Sequence, residues 1–287
     1  NLRSKLMIKY YTRACNFFYG DQAEKLIKNR IGLPLCGNNK IAFTSLEIFS
    51  RKKKNIKSKF INIKDIRSLH KNEKKKIKLD IKNITSKRRN FLKYINFSEP
   101  TIMGILNLTP DSFSDGGKFN NKVKSLKHID QMIKSGAMII DIGGESTRPG
   151  SKDVSFKNEL KRVEGSLKSF KKKYKNVCLS LDTRKSEIMK HGLSYGVDLI
   201  NDVSGFNYDR NSINFVKKNN ISKVLHHMKG TPNTMQIKPN YKNVLLDIYD
   251  FFEKNIKDKF SDRNIILDPG IGFGKTLKHN LTLISKI

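Results

Sequence analysis

The sequence predicts an α/β fold: a parallel sheet covered by helices, of the (β/α)8 TIM-type barrel kind. About six βα units are present in this chain, preceded by a basic N-terminal extension. Three observations carry that reading. Short apolar runs recur from residue 102 onward, amphipathic helical periods lie between several of them, and each run finishes at a polar or ionisable side chain. Wholly apolar strands alternating with amphipathic helices describe a sheet buried on both faces. Polar residues at successive strand ends describe a barrel, which gathers its chemistry on the carboxyl face. An open doubly wound sheet would collect them mainly at one switch point.

The strands are expected over 102–106, 138–142, 177–181, 199–200, 221–225 and 265–267. Their polar ends are Asn107, Asp141, Asp182, Asn201 with Asp202, His226 with His227, and Asp268. Between the second and third, Phe156, Leu160, Val163, Leu167, Phe170 and Tyr174 step by 4, 3, 4, 3, 4, which sets one apolar stripe on one helix face. Leu245, Ile248, Phe252 and Ile256 do the same before the last strand. The two adjacent histidines point to opposite faces of a strand and cannot chelate one ion together, so they read as core or surface residues.

A length of 287 residues suits one large domain or two ordinary ones. With 37% hydrophobic residues and 17 Phe, a sizeable core needs no disulfides or metal. No run approaches a membrane span, and no signal peptide is expected. Cys15, Cys36 and Cys178 lack CxxC spacing, which excludes a disulfide framework and a zinc ribbon. A soluble, reducing, cytoplasmic setting is expected.

The formal net charge of +32 raises nucleic acid as a partner. Residues 1–100 hold 26 Lys and Arg against 7 Asp and Glu. The excess is mostly Lys in a chain also rich in Asn and Ile, a combination that A/T-rich codons produce without selection. The lysines are not interleaved with exposed aromatics and Trp is absent, so the composition speaks against nucleic-acid binding as the main function. Residues 1–98 are expected as a basic extension and 99–287 as the partial barrel. Basic tracts such as 51–54 and 74–76 read as solvated surface or flexible linker.

Three loops carry the chemistry. The first, NLTPDSFSDGG over 107–117, mixes carboxylates, hydroxyls and Phe113 ahead of a glycine pair, a composition suited to a lid over substrate. The second, DIGGESTRPG over 141–150, has Gly143 and Gly144 for close backbone approach, and Ser146, Thr147 and Arg148 as donors for phosphate oxygens. The third, DPGIGFGK over 268–275, lacks the GxxxxGK spacing of a nucleotide phosphate loop.

These loops, with SLDT over 180–183, INDV over 200–203 and HMKGTP over 227–232, resemble the dihydropteroate synthase family from residue 102 to the end. Segments YYTR over 10–13 and GLPL over 32–35 resemble an extension carried by some bacterial members. The resemblance implies condensation of 6-hydroxymethyl-7,8-dihydropterin diphosphate with p-aminobenzoate, giving dihydropteroate and pyrophosphate for folate synthesis. It implies a pterin pocket of Asp141, Asp182, Asn201, Asp268 and Met228, whose carboxylates accept from the pterin donor edge while the amide serves its acceptor. Asn107 would bind the Mg2+ that coordinates the diphosphate. Thr147 and Arg148 would handle the diphosphate and the p-aminobenzoate carboxyl region; Pro149 and Phe273 would line the aryl slot. Asn107, Arg148 and Asp115 would be the catalytic set, with Asp115 stabilising the pterin cation left as pyrophosphate departs. A homodimer is expected of the full-length enzyme.

Family barrels have two further βα units beyond the one that reaches Ile287, carrying a Ser-Arg-Lys strand and an Arg and a His. The chain taken literally is therefore expected to be an open, poorly stable and inactive part of a working parent. A pterin-dependent methyltransferase shares the Asp, Asn and Asp pocket but needs neither the first nor the second loop. A non-catalytic pterin- or RNA-binding remnant is the third reading, and salt-dependent retention on nucleic acid would be its mark.

Overall fold

The computed structural model describes residues 8–109, 118–146, 151, 153–260 and 264–286, with the side chains of 118–122 left aside. The chain divides into two compact units: residues up to Arg89 with Phe97–Glu99, and Asn90–Asn96 with Pro100–Ile287.

The first unit is an antiparallel sheet with two helices. Its elements are β1 (Lys9–Tyr19), α1 (Gly20–Lys28), β2 (Leu33–Leu35), β3 (Asn38–Lys52), β4 (Asn55–Asn62), a 3-10 turn (Ile63–Ser68) and α2 (Lys71–Thr85). The long β3 pairs β1 along one edge, and β2 then β4 along the other. On α2, Ile77, Ile81 and Ile84 face a core of Ala14, Phe43, Leu46, Ile48 and Leu69. The basic tracts are part of this folded unit and not linkers. Lys53 and Lys54 form the tip of the β3–β4 hairpin, where Lys52 pairs Asn55, and residues 74–76 lie on α2 beside its buried face. Three acids offset part of the charge: Glu47 takes Arg13 at 2.7 Å, Glu73 takes Lys59 at 2.8 Å, and Asp80 accepts from Thr12 at 2.7 Å and from Lys76.

The second unit alternates strand and helix: β5 (Ile102–Asn107), α3 (Lys118–Lys134), β6 (Ala137–Gly143), α4 (Phe156–Lys173), β7 (Cys178–Asp182), α5 (Ser186–Ser194), β8 (Leu199–Asp202), α6 (Ser212–Lys218), β9 (Ser222–His226), α7 (Val244–Lys259), β10 (Ile265–Asp268) and α8 (Leu277–Lys286). The strands are parallel and pair in strict sequence order, β5 through β10. That order has no reversal, so the sheet lacks the switch point of a doubly wound fold and curls as half of a barrel does. The expected polar ends are mostly the last strand residues themselves: Asn107, Asp182, Asp202, His226 and Asp268.

The helix-facing side of the sheet is apolar. Ile140, Ile142, Leu179, Leu181, Ile200 and Leu225 pack on Val163, Leu167 and Phe170 of α4 and on Ile188 and Met189 of α5. The 4-3-4-3-4 stripe is the buried face of α4, except that its first member, Phe156, is exposed at the helix start. Among the described residues no helix is long and apolar enough to cross a membrane. Phe170 is fully buried and its ring lies 5.0 Å from that of Tyr174. Phe170→Ala should therefore cost about 3–5 kcal/mol, read as an earlier denaturant midpoint for this unit. A loss below about 1 kcal/mol would show that α4 does not anchor the sheet.

Candidate active site

Side chains alternate across a strand, so register decides which residues meet. Gly143 pairs both Asn107 and Asp182, and Asp182 pairs Asn201, which sets the ends of β5 to β8 in one row on one face. Two residues down, Asp141 pairs Ser180 on the same face. Two residues up from Val224, the partner of Asn201, His226 pairs Asp268. This face is the concave side of the curl, opposite the helices.

Asp141 is buried at the base of this face. Its Oδ1 accepts from the Ser180 hydroxyl at 2.5 Å and its Oδ2 from the Asn201 amide at 2.9 Å. A carboxylate only accepts, so Asn201 Nδ2 is the donor and the amide orientation is fixed. One N–H and the Oδ1 of Asn201 remain for a ligand. Burial raises the Asp141 pKa, against the two hydrogen bonds.

Asp182 sits directly above. Burial raises its pKa well above the usual carboxylate range, and the charges of Asp141, Asp202, Glu159 and Glu145 add to that. Among the described residues the carboxyl has no cationic compensation, so it gains most from a ligand that brings donors. Gly143 makes room for it, since a Cβ there would lie 3.1 Å from Asp182 Oδ2. At Gly144 a Cβ would lie 2.9 Å from Val163 Cγ1. Both glycines thus admit close approach by the chain's own groups.

The helix side of the strand ends holds compensated charges. Glu145 accepts from the Val154 N–H at 2.9 Å, from Arg184 Nε at 3.2 Å and from Lys185 at 3.0 Å. Glu159 takes the Thr183 hydroxyl and Lys185, each at 2.6 Å. Glu145 and Val154 bracket the second loop, so one buried carboxylate ties both of its ends.

Past β10, Asp268 Oδ1 accepts from the Gly270 N–H at 2.7 Å. Lys275 turns inward, donating to the Gly270 and Phe273 carbonyls at 2.8 and 2.9 Å and to His227 Nδ1 at 3.1 Å. Burial lowers its pKa to about 8. This lysine knits the loop together. The histidines do face opposite sides: His226 meets Val203 and Phe273, and His227 meets Phe251.

The signature of the pterin binding enzymes matches residues 103–287. Dihydropteroate synthase of Escherichia coli (strain K12) is 38% identical over 197 residues, 67% of this chain and 69% of that protein. The chain belongs to the dihydropteroate synthase family. Yersinia pestis dihydropteroate synthase, solved with a sulfonamide drug complex, superposes with a TM-score of 0.62 at 40% identity, covering 67% of this chain and 70% of that one. The Xanthomonas albilineans enzyme with 4-aminobenzoic acid gives 0.59 at 33% identity, covering 67% and 68%.

Of the family residues expected from the sequence, Asp141, Asp182, Asn201 and Asp268 share the concave face. Met228 follows β9, half-buried, and Phe273 stands over the His226 ring. Asn107 ends β5 exposed. Asp115, Thr147, Arg148 and Pro149 lie outside the described residues. Sequence reasoning gave no role to Ser180, Glu145, Glu159, Arg184, Lys185 or Lys275. The period-2 spacing of Ser180 from Asp182 was the available signal for the first; burial of the charged residues has none.

Asp202 is wholly buried on the helix side. Ser204 donates to its Oδ1 from N–H and hydroxyl at 2.8 and 2.6 Å, while Oδ2 has no hydrogen-bond partner among the described residues. Burial pushes its pKa up to about 6. A raised acid destabilises the fold once it ionises: the penalty is absent below the unfolded pKa of about 4 and complete above about 6. Asp202→Asn should therefore raise stability at pH 8 by on the order of 2 kcal/mol. The gain should vanish near pH 4, as denaturant melts at both pH values will show. An equal effect at both would contradict the assignment.

Proposed function

We propose that the chain is the pterin-reading part of a dihydropteroate synthase, with the concave strand-end face reading the pterin and the loops after β5, β6 and β10 serving the diphosphate and p-aminobenzoate. One observation carries it most directly. The Asp141 carboxylate orients Asn201 beside Asp182, a half-buried carboxyl with no cationic partner among the described residues, which a pterin's adjacent N–H and amino donors would satisfy. The sulfonamide-bound and 4-aminobenzoic acid-bound relatives support the second substrate.

In the reaction, the carbon–oxygen bond from the pterin methylene to the diphosphate breaks and pyrophosphate leaves with the electron pair. The arylamine nitrogen then bonds to that carbon and loses a proton. Asp182, Asn201 and Asp268 hold the ring and favour the positive charge that spreads over it; Asp115 is assigned to the same charge from the loop. Thr147 and Arg148 are assigned to the anions, and Pro149 with Phe273 to the aryl ring.

Asn107 is an open oxygen donor at the end of β5, and among the described residues no three His, Cys, Asp or Glu side chains converge as a metal site. That donor set fits Mg2+ held by one amide, the diphosphate oxygens and water, and does not fit a protein-built cage. When bound, the ion would supply charge neutralisation at the leaving group.

A pterin-dependent methyltransferase would use the same pocket, and p-aminobenzoate separates the two readings. Titration of the chain with 6-hydroxymethyl-7,8-dihydropterin diphosphate and Mg2+ in a calorimeter should show binding at pH 8. Asp182→Ala should weaken it by at least about 100-fold, the loss expected of two charge-assisted hydrogen bonds, with an unchanged circular dichroism spectrum. A change below about threefold would remove Asp182 from the pterin site.

A further inference from the structure

The histidine at the end of β9 touches both halves of the site, and no step above uses it. His226 Nδ1 lies 2.9 Å from the Val203 carbonyl, which can only accept, so Nδ1 carries the proton. In the neutral ring Nε2 is then a bare lone pair. It faces Asp268 Oδ2 at 3.9 Å, across from a second acceptor. Asp268 Oδ1 is already held by the Gly270 N–H, so Oδ2 is the oxygen left for a ligand. The ring is fixed on its other sides. Phe273 meets it edge-on at 4.7 Å, and Gly270 sits so close that a Cβ would lie 3.0 Å from Nε2.

Two acceptors that face each other repel. A neutral His226 keeps Oδ2 turned outward, and the Asp268 side chain is accordingly 43% exposed while that of His226 is 5% exposed. Protonation reverses the interaction, because Nε2–H becomes a charged donor within reach of the same oxygen.

We propose that His226 is a positioning residue for Asp268: the neutral ring leaves Oδ2 free for pterin donors, and the imidazolium draws Oδ2 onto itself. Phe273, resting on the same ring, couples the aryl slot to that choice. The charged groups around His226 act in both directions. Asp268 on β10 favours the imidazolium; Lys275, from the loop after β10, opposes it; and burial also opposes it, holding the pKa below its ordinary value. His227 faces away toward α7, and burial keeps it neutral with a pKa lowered to about 3. At neutral pH the site is therefore in its binding-ready state, and acid disables it.

This rests on the pterin reading above, and the test separates the two. Pterin diphosphate affinity with Mg2+ is measured by calorimetry from pH 8 to pH 5 for the parent chain and for His226→Asn. Asn retains a donor for the Val203 carbonyl, cannot become a cation and has no atom at the Nε2 position. Protonation of Asp182 weakens binding in both proteins, so the difference between their profiles reports His226. The parent should lose affinity more steeply, by up to an additional factor of about 10 per pH unit below the imidazole pKa. The two should converge at pH 8.

In parallel, the His226 ring proton is titrated by NMR with and without ligand, where bound pterin diphosphate should lower its pKa. Superimposable pH profiles, or an imidazole pKa unmoved by ligand, would overturn the proposal. No binding by the parent at pH 8 would instead overturn the pterin reading itself.

Discussion

The site depends on the hydrogen-bonded register of the parallel sheet. Side chains alternate with a period of two, so a one-residue slip of β7 against β6 would turn Ser180 and Asp182 to the helix side and bring Leu181 onto the concave face. The native pairing of Asp141 with Ser180 and of Asp182 with Asn201 prevents this. The apolar side enforces it, because Leu179, Leu181 and Ile200 are fully buried against the helices. Packing on one face thus fixes the chemistry on the other. The buried Asp141 then locks the result by holding both Ser180 and Asn201.

The two sides of the strand ends treat charge differently. On the helix side, Glu145 and Glu159 are matched by Arg184 and Lys185 at hydrogen-bonding distance, which makes their burial tolerable. On the concave side, Asp141 and Asp182 have hydroxyl and amide neighbours, and the charges acting on Asp182 are further acids. An acidic surface inside a chain of formal net charge +32 suits a ligand that brings N–H donors. The lysine excess therefore says little about the ligand, since residues 1–100, ahead of β5, hold 26 Lys and Arg against 7 Asp and Glu.

Much of this was legible in the sequence. The six apolar runs and their polar ends fall within a residue or two of the strands, because the β5–β10 strands are short and almost wholly apolar ahead of their polar ends. The opposed histidines followed from strand geometry. Helix α4 was read from its stripe, with only Phe156 outside the core. The first unit was not legible: β1 and β3 lie in half-buried antiparallel pairing, and the basic tracts around them hid the amphipathic face of α2. Nor could charge alone distinguish Lys275, which is buried and bonded to carbonyls, from the many solvated lysines. Gly143 and Gly144 are expected to permit close backbone approach, and the groups that approach them are Asp182 and α4. The lid residues around Asp115 and the 147–149 segment lie outside the described residues.

The most direct test is a crystal structure of the chain with 6-hydroxymethylpterin bound. The account predicts the ring on the concave face, its amino and ring N–H donors on the Asp182 and Asp268 carboxylates, and Asn201 still held by Asp141. A ring bound elsewhere, or bound with its donor edge turned away from Asp182, would contradict it.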